Sequence, residues 1–276
     1  EKAGYSDFPD TQEAFTEACV KLTKTSFYAY GMALGLVPND SGWSIMGEVW
    51  PLGGRLVDAQ GRPATNSQAF IDGFERIRHL REDLKVIPRG TISWNNSGNN
   101  KAYQSGQIAF CYNPTSVYSS LLRNKSDLFD KTGLFSMPGG PDGRHRALYT
   151  DYYGVFSASP YVDLNKGLVA YLMQQDNYNG FIVGAGGRYT PVYPKLTEDP
   201  FWASNPVFAD MIKVAEEGHD YHINGKLSIA FGEFNQTVVL TKALHRMLVD
   251  KESPAEAVEW LYKQQVALWN RHGEPV

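Results

Sequence analysis

The run Gln107-Ile108-Ala109-Phe110-Cys111 constrains the fold of this chain more than any other stretch. It is apolar, closed on both sides by polar loops, and reads as a buried strand. Before it stands the loop Trp94-Asn95-Asn96-Ser97-Gly98-Asn99-Asn100, then a short helical piece ending at Ser105-Gly106. After it come Tyr112-Asn113-Pro114-Thr115-Ser116 and a helix over 116–122. Strands alternate with helices along the rest of the chain as well, which argues for α/β layers.

The loops flanking that strand also carry the chemistry. They combine ring faces with amides and hydroxyls and contain little charge. Aromatic faces cover the C–H surfaces of a sugar, and amides satisfy hydroxyls that would otherwise be buried unpaired. That is a signature of binding an uncharged, hydroxyl-rich ligand, and it contains no reaction centre.

Upstream, Asp10-Thr11 after Pro9 caps a helix of about four turns with a stripe of Ala14, Phe15, Ala18, Cys19 and Leu22. Residues 26–36 read as a buried strand leading into a helix, and 56–61 as a hairpin-like excursion after the Gly53-Gly54 break. Asn66-Ser67 caps an amphipathic helix with Phe70, Phe74, Ile77 and Leu80 inward. Downstream, 134–137 reads as a strand stopped by Pro138-Gly139-Gly140-Pro141, and 148–157 as extended and aromatic. Residues 163–174 and 206–217 read as helices, 180–192 as glycine-punctuated, and 229–249 as one long helix. Ser253-Pro254-Ala255-Glu256 is a capping box with Pro at the first helical position. The helix it opens has Ala257, Trp260, Leu261 and Val266 as packing positions.

With 276 residues the chain can bury one large core or two ordinary ones. A net charge of −4 with no basic stripe argues against nucleic acid as a partner. Cys19 and Cys111 are the only cysteines and fit no metal or redox spacing. A disulfide between them is open, but the apolar context of each favours two buried free thiols. His219 and His222 lie three apart without further ligands at metal spacing and read as a surface loop. No membrane-length apolar run, signal peptide or nucleotide fingerprint is present, so no cofactor is called for. The opening Glu1-Lys2-Ala3-Gly4 runs straight into the first helix and reads as an internal cut.

Taken in order, AGYSDFPDTQEAFTEACVKL, Trp50-Pro51-Leu52-Gly53-Gly54, YQSGQIAFCYNPTS, MPGGPDG, YYGVFSASP, GAGGRYTPV and SPAEAVEWLYKQQ resemble the landmarks of the family 1 extracellular solute-binding proteins of bacterial ABC importers, the maltose-binding-protein-like group. YYGVFSASP departs from the family pattern by lacking a lysine. The resemblance implies a periplasmic-binding-protein type II two-lobed fold, with the C-terminal lobe largely complete and the N-terminal lobe partly present. It assigns 1–153 and 200–276 to the C-terminal lobe, the second part helical, and 154–199 to a return segment of the N-terminal lobe, whose opening segment has no counterpart here.

It further implies a monomeric receptor, periplasmic or extracellular, or membrane-associated through a lipid in a Gram-positive source. That receptor captures a sugar or polyol between lobes and hands it to ABC permease subunits. The Asn124-Lys125-Ser126 and Asn235-Gln236-Thr237 sequons are then chance matches. Carried over by position, the resemblance and the loop chemistry together single out as ligand contacts Trp43, Glu48 one helical turn beyond it, Trp94, Asn95, Asn113, Ser116, Asp151, Tyr153, Arg188, Glu233 and Asn235. The competing reading is a glycan-active hydrolase, with Asp151 and either Glu48 or Glu233 as the carboxylate pair that such chemistry needs.

Overall fold

The computed structural model describes residues 4–24, 27–223 and 225–276. The chain packs as two units. Unit 1 takes residues through Asn113, Ser136–Ala147 and Tyr221–Val276; unit 2 takes Pro114–Phe135 and Leu148–Asp220. The expected return segment, 154–199, falls wholly within unit 2, while the stretches 1–153 and 200–276 are each shared between the units.

Unit 1 is built around two parallel strands, β1 (Tyr28–Gly31) and β2 (Ile108–Cys111), paired Tyr28 to Ile108, Tyr30 to Phe110 and Gly31 to Cys111. Around them lie α1 (Gln12–Leu22), α2 (Asp40–Val49), α3 (Gln68–Arg78) and α4 (Gly98–Gln104). Thr11 caps α1 by accepting from the Ala14 N–H at 3.2 Å, and Phe15, Ala18 and Cys19 form its buried face. The helix has 11 residues, one turn fewer than expected, because the extended Thr23 ends it. Part of the strand expected over 26–36 lies outside the described residues; the rest is β1 followed by an irregular stretch that is buried through Gly35 and leads on to α2. In α3, Phe70, Phe74 and Ile77 are buried, with Leu80 in the turn that follows, matching the inward stripe.

A buried ion pair fixes the first three helices to β1. The Glu48 carboxylate, fully buried, accepts from Arg76 Nε at 2.8 Å, from Tyr30 Oη at 3.0 Å and from Gln12 Nε2 at 3.4 Å. Its remaining lone pairs are thereby occupied from three elements, the condition under which a buried carboxylate is tolerated.

The C-terminal part of unit 1 holds α10 (Ala230–Gln236), α11 (Val239–Leu248) and α12 (Pro254–Arg271). The single helix expected over 229–249 is broken: Val238 takes φ 52, ψ 38, turning the chain between α10 and α11. The capping box is present in full, Ser253 with Glu256, and Pro254 opens α12. Ala257 and Leu261 are buried as expected, whereas Trp260 and Val266 are half-buried and the inward face runs on through Gln265, Leu268 and Trp269. Gln265 accepts from Thr65 Oγ1 at 2.8 Å and donates to Leu56 O at 2.7 Å, and Trp269 Nε1 donates to Gly61 O at 2.8 Å. The 56–65 excursion is thus pinned to α12 by polar anchors that a hydrophobic pattern does not reveal.

Unit 2 contains α5 (Ser116–Arg123), α6 (Val162–Leu172), α7 (Gln175–Gly184), α8 (Pro200–Ala203) and α9 (Pro206–Glu217). Its core is Tyr118, Tyr178, Ile182, Trp202, Phe208 and Met211. The glycine-punctuated stretch expected from 180 begins inside α7, whose glycines lie on exposed or open sides. Residues 134–137 form no strand; the pairings nearby are the isolated bridges of Thr11 with Gly139 and of Gly140 with Gly143 in unit 1. Among the described residues β1 and β2 are the only strands with a ladder, so the α/β alternation is realised with far more helix than sheet.

Candidate functional site

Because β1 and β2 are parallel, the chain leaves both at one edge, and the loops there converge. Ligands of open parallel sheets gather outside this carboxyl edge, where backbone and side-chain polar groups are not used up by the ladder. After β1, Met32, Ala33 and Leu34 run buried. The Leu34 carbonyl accepts from His245 Nε2 at 2.6 Å, and Gly35 accepts from Ser41 Oγ at 2.7 Å. Gly35 has to be glycine: a Cβ there would stand 2.2 Å from the Trp94 carbonyl oxygen. That close approach brings the Trp94 loop against the end of β1.

Asn39 then turns the chain with φ 73, ψ −96 and starts α2 at Asp40. Asp40 is half-buried and hydrogen-bonded by Asn99; burial pushes its carboxyl above the ordinary value, and the Asn99 bond works against that rise. Asn99, fully buried at the start of α4, donates through Nδ2 to the Tyr112 carbonyl at 3.0 Å, just past β2. Asp40, Asn99 and Tyr112 therefore stitch the ends of the two strands together. Burial also raises the Tyr112 hydroxyl, and it pushes the half-buried Cys111 thiol up to about 12, with the Asp40 charge adding to the shift. Both cysteines are free thiols, Cys19 fully buried and Cys111 less so than expected.

Asn113 lies at the same edge. Its Nδ2 donates to Asn100 Oδ1 at 2.6 Å, and its Oδ1 is buried without a donor among the described residues. Trp94 is half-buried, with its Cβ side against Gly98, and Asn95 is exposed. Trp94, Asn95 and Asn113, three of the residues expected from sequence, come together here. Asn235 joins from α10, its Nδ2 donating to Asn39 Oδ1 at 3.3 Å. Trp43 is 9% exposed, its ring tilted against Tyr221 at 4.0 Å between centroids and edge-on to Trp50 at 5.7 Å, so little of it is open. Tyr221 and His222 are buried, not part of a surface loop, and Tyr221 lines a small recess with Val37, Gly42, Phe231, Asn235 and Val238.

Other expected contacts are placed differently. Glu48 is a core ion-pair residue. It lies one turn beyond Trp43 as read from sequence, but the expected ligand contact is overturned because α2 is buried on nearly every side and the carboxylate is paired with Arg76. Glu233 is engaged by Arg271 and by His272 Nε2 at 2.8 Å, and the His272 bond together with the Arg271 charge holds its carboxyl below the ordinary value. In unit 2, Ser116 opens α5, and the neighbouring Thr115 Oγ1 donates to the Arg188 carbonyl at 2.7 Å, which brings the 186–188 turn to that helix start. Gly187, at φ 76, cannot carry a side chain because a Cβ would meet the Phe208 ring at 2.6 Å. The Arg188 guanidinium is exposed and lies over the Tyr189 ring at 5.5 Å. Asp151 is exposed and Tyr153 is 58% exposed.

Sequence reasoning missed Asp40, Asn99 and Tyr221. The signal for Asp40 was Pro38-Asn39-Asp40-Ser41, a helix-start pattern directly after a buried strand. Among the described residues no group of three or more His, Cys, Asp or Glu could hold a metal ion, and no helix is long and apolar enough to cross a membrane.

A family model described as bacterial extracellular solute-binding protein matches residues 1–210. The chain belongs to this family. No curated protein sequence matches it. Among solved structures, this solute-binding protein resembles maltose-bound MalE3 of T. maritima, with TM-score 0.84, 19% identity, and coverage of 97% of this chain and 67% of that one. It also resembles a sugar transporter of Arthrobacter chlorophenolicus A6 with bound laminaribiose, at TM-score 0.81, 16% identity and coverage of 96% and 66%. A solute-binding protein of Agrobacterium radiobacter K84 in complex with ribitol follows at 0.71, 16%, 95% and 65%. The fold is thus that of the type II periplasmic binding proteins, and the chain spans about two thirds of the length of these relatives.

Proposed function

We propose that this solute-binding protein captures a neutral, hydroxyl-rich solute, a carbohydrate or polyol, at the carboxyl edge of β1 and β2. It acts outside the cytoplasm as the monomeric receptor of an ABC importer and delivers the solute to the permease subunits. The observation that carries the reading is the convergence there of Trp94, Asn95 and Asn113 with Asp40 and Asn235, an aromatic with amides and one carboxylate acceptor. Hydroxyl groups are both donors and acceptors, and this set supplies partners of both kinds without a fixed cation. The solutes bound by the structural relatives, maltose, laminaribiose and ribitol, fit the same class.

The role needs no catalytic residue. Of the carboxylates that the hydrolase reading would pair with Asp151, Glu48 is enclosed by Arg76 and Tyr30 and Glu233 is held by Arg271 and His272, which speaks against that reading. Thermal-shift measurements against sugars, polyols, amino acids and polyamines test the proposal. A shift with hydroxylated solutes supports it. A shift confined to amino acids or polyamines, or turnover of a chromogenic glycoside, overturns it.

A further inference from the structure

Two strained residues are linked beside α10. Val238 lies at φ 52, ψ 38 between α10 and α11, and Asn39 lies at φ 73, ψ −96 before α2. A β-branched residue in the left-handed region is an outlier, because its branched Cβ crowds the backbone. One hydrogen bond joins the two joints: Asn235 Nδ2, three residues before Val238, to Asn39 Oδ1 at 3.3 Å. Val37, Tyr221, Asn235 and Val238 line the same recess.

The sequence pattern over 229–249 favours one continuous helix, in which Val238 would be right-handed. A clamp from the last turn of α12 and the residues after it opposes that. The Glu274 carboxylate accepts from the N–H groups of Ile229 and Ala230, the second at 3.3 Å. Glu233, in the middle of α10, is paired with Arg271 and His272. Phe234 packs edge-on against Trp269 at 6.0 Å. At seven residues α10 is too short to hold a position by its own hydrogen bonds. Strained backbone persists only where its surroundings over-determine it, and it gathers where placement matters.

We infer that Val238 is a positioning residue for the solute site. The left-handed joint, held by the clamp of Arg271, His272 and Glu274, sets α10 so that Asn235 presents its amide at Asn39, on the carboxyl edge of β1. Val238 touches no solute and acts through Asn235. The inference rests on the reading that this edge takes solute.

Amide hydrogen exchange over 229–242 of the full chain tests it in four forms: unaltered, R271A/E274A, V238G, and all three substitutions together. With the clamp removed, strain at Val238 drives α10 out of place, and exchange over 230–238 rises roughly tenfold or more. Glycine takes the left-handed conformation freely. V238G therefore returns the clampless chain to within about threefold of the unaltered rate. If Val238 served packing alone, V238G would raise exchange further. That result, or no change on removing the clamp, overturns the inference.

Titration with maltose and ribitol separates the inference from the functional reading. Where the unaltered chain binds either one, clamp removal weakens binding several-fold and V238G restores it. Unchanged affinity without the clamp overturns the positioning role and leaves the proposed function standing. Absence of binding by the unaltered chain, with the solute panel negative, overturns the proposed function and the role of Val238 at a solute site together.

Discussion

Helices α11 and α6 have nearly equal length and comparable apolar spacing, yet α11 buries seven of its ten residues and α6 none of its eleven. Leu164, Leu168, Tyr171 and Leu172 recur at helical spacing on α6 and are 70%, 54%, 56% and 40% exposed. Val239, Ala243, Leu244 and Met247 on α11 recur in the same way and lie in the core of unit 1. Periodicity reveals that a face is suited to burial. Whether it is buried depends on neighbours that the periodicity does not name.

The contrast can be broken by substitution, starting where the effect is largest. Glu48→Ala leaves the half-buried Arg76 and the buried Tyr30 without their shared acceptor and should cost about 3 kcal/mol in urea unfolding of unit 1. Asp151→Ala, on an exposed part of unit 2, should stay within about 0.5 kcal/mol. Leu244→Ala should cost about 2–5 kcal/mol by cavity formation, while Leu168→Ala on α6 should change stability by less than about 0.5 kcal/mol. Equal costs for the two leucines would remove the distinction between the helices.

Next in size are effects on binding. Trp94→Ala should weaken solute binding by about 1–2 kcal/mol with little change in thermal stability, as expected for an aromatic at a binding edge. Asp40→Asn should also weaken binding but leave stability unchanged or raised at pH 7. Burial raises the folded carboxyl of Asp40 above its unfolded value, so its ionised form disfavours the fold, and the penalty disappears as pH falls through the folded value.

The smallest effect is the acid response. The Arg55 hydrogen bond holds Asp142 low, and the His272 and Arg271 partners hold Glu233 low, both in unit 1. In unit 2 the Asn179 hydrogen bond holds Asp199 low. Groups with depressed folded values contribute stability above their unfolded values and lose it as pH falls through the folded ones. The urea midpoint should therefore be level above about pH 6 and fall below about pH 4. Glu233→Gln should flatten that fall; an unchanged slope would show that the pair with Arg271 and His272 contributes nothing.

Much of the fold was legible because its signals are local. Thr11, Ser67 and the Ser253 box mark helix starts, and the stripe from Phe70 to Leu80 marks an inward face. The break at Val238 was not legible, since it is imposed by Asn39 from one side and by residues 271–274 from the other. Trp94, Asn95 and Asn113, three residues of the proposed site that sequence singles out, stand in polar loops beside a buried strand, which are conspicuous. Glu48 and Glu233 were misread because the arginines that enclose them are 28 and 38 positions away. Trp43 was misread in part because Tyr221, 178 positions away in number, covers its face.

The most direct test of the central claim is calorimetric titration of the chain and of its Trp94→Ala, Asn113→Ala double variant with maltose, laminaribiose and ribitol. Saturable binding of at least one of these solutes, weakened tenfold or more in the double variant (about 1.4 kcal/mol), is the result this account predicts. Binding that is unaltered in the double variant would place the solute somewhere other than the carboxyl edge of β1 and β2.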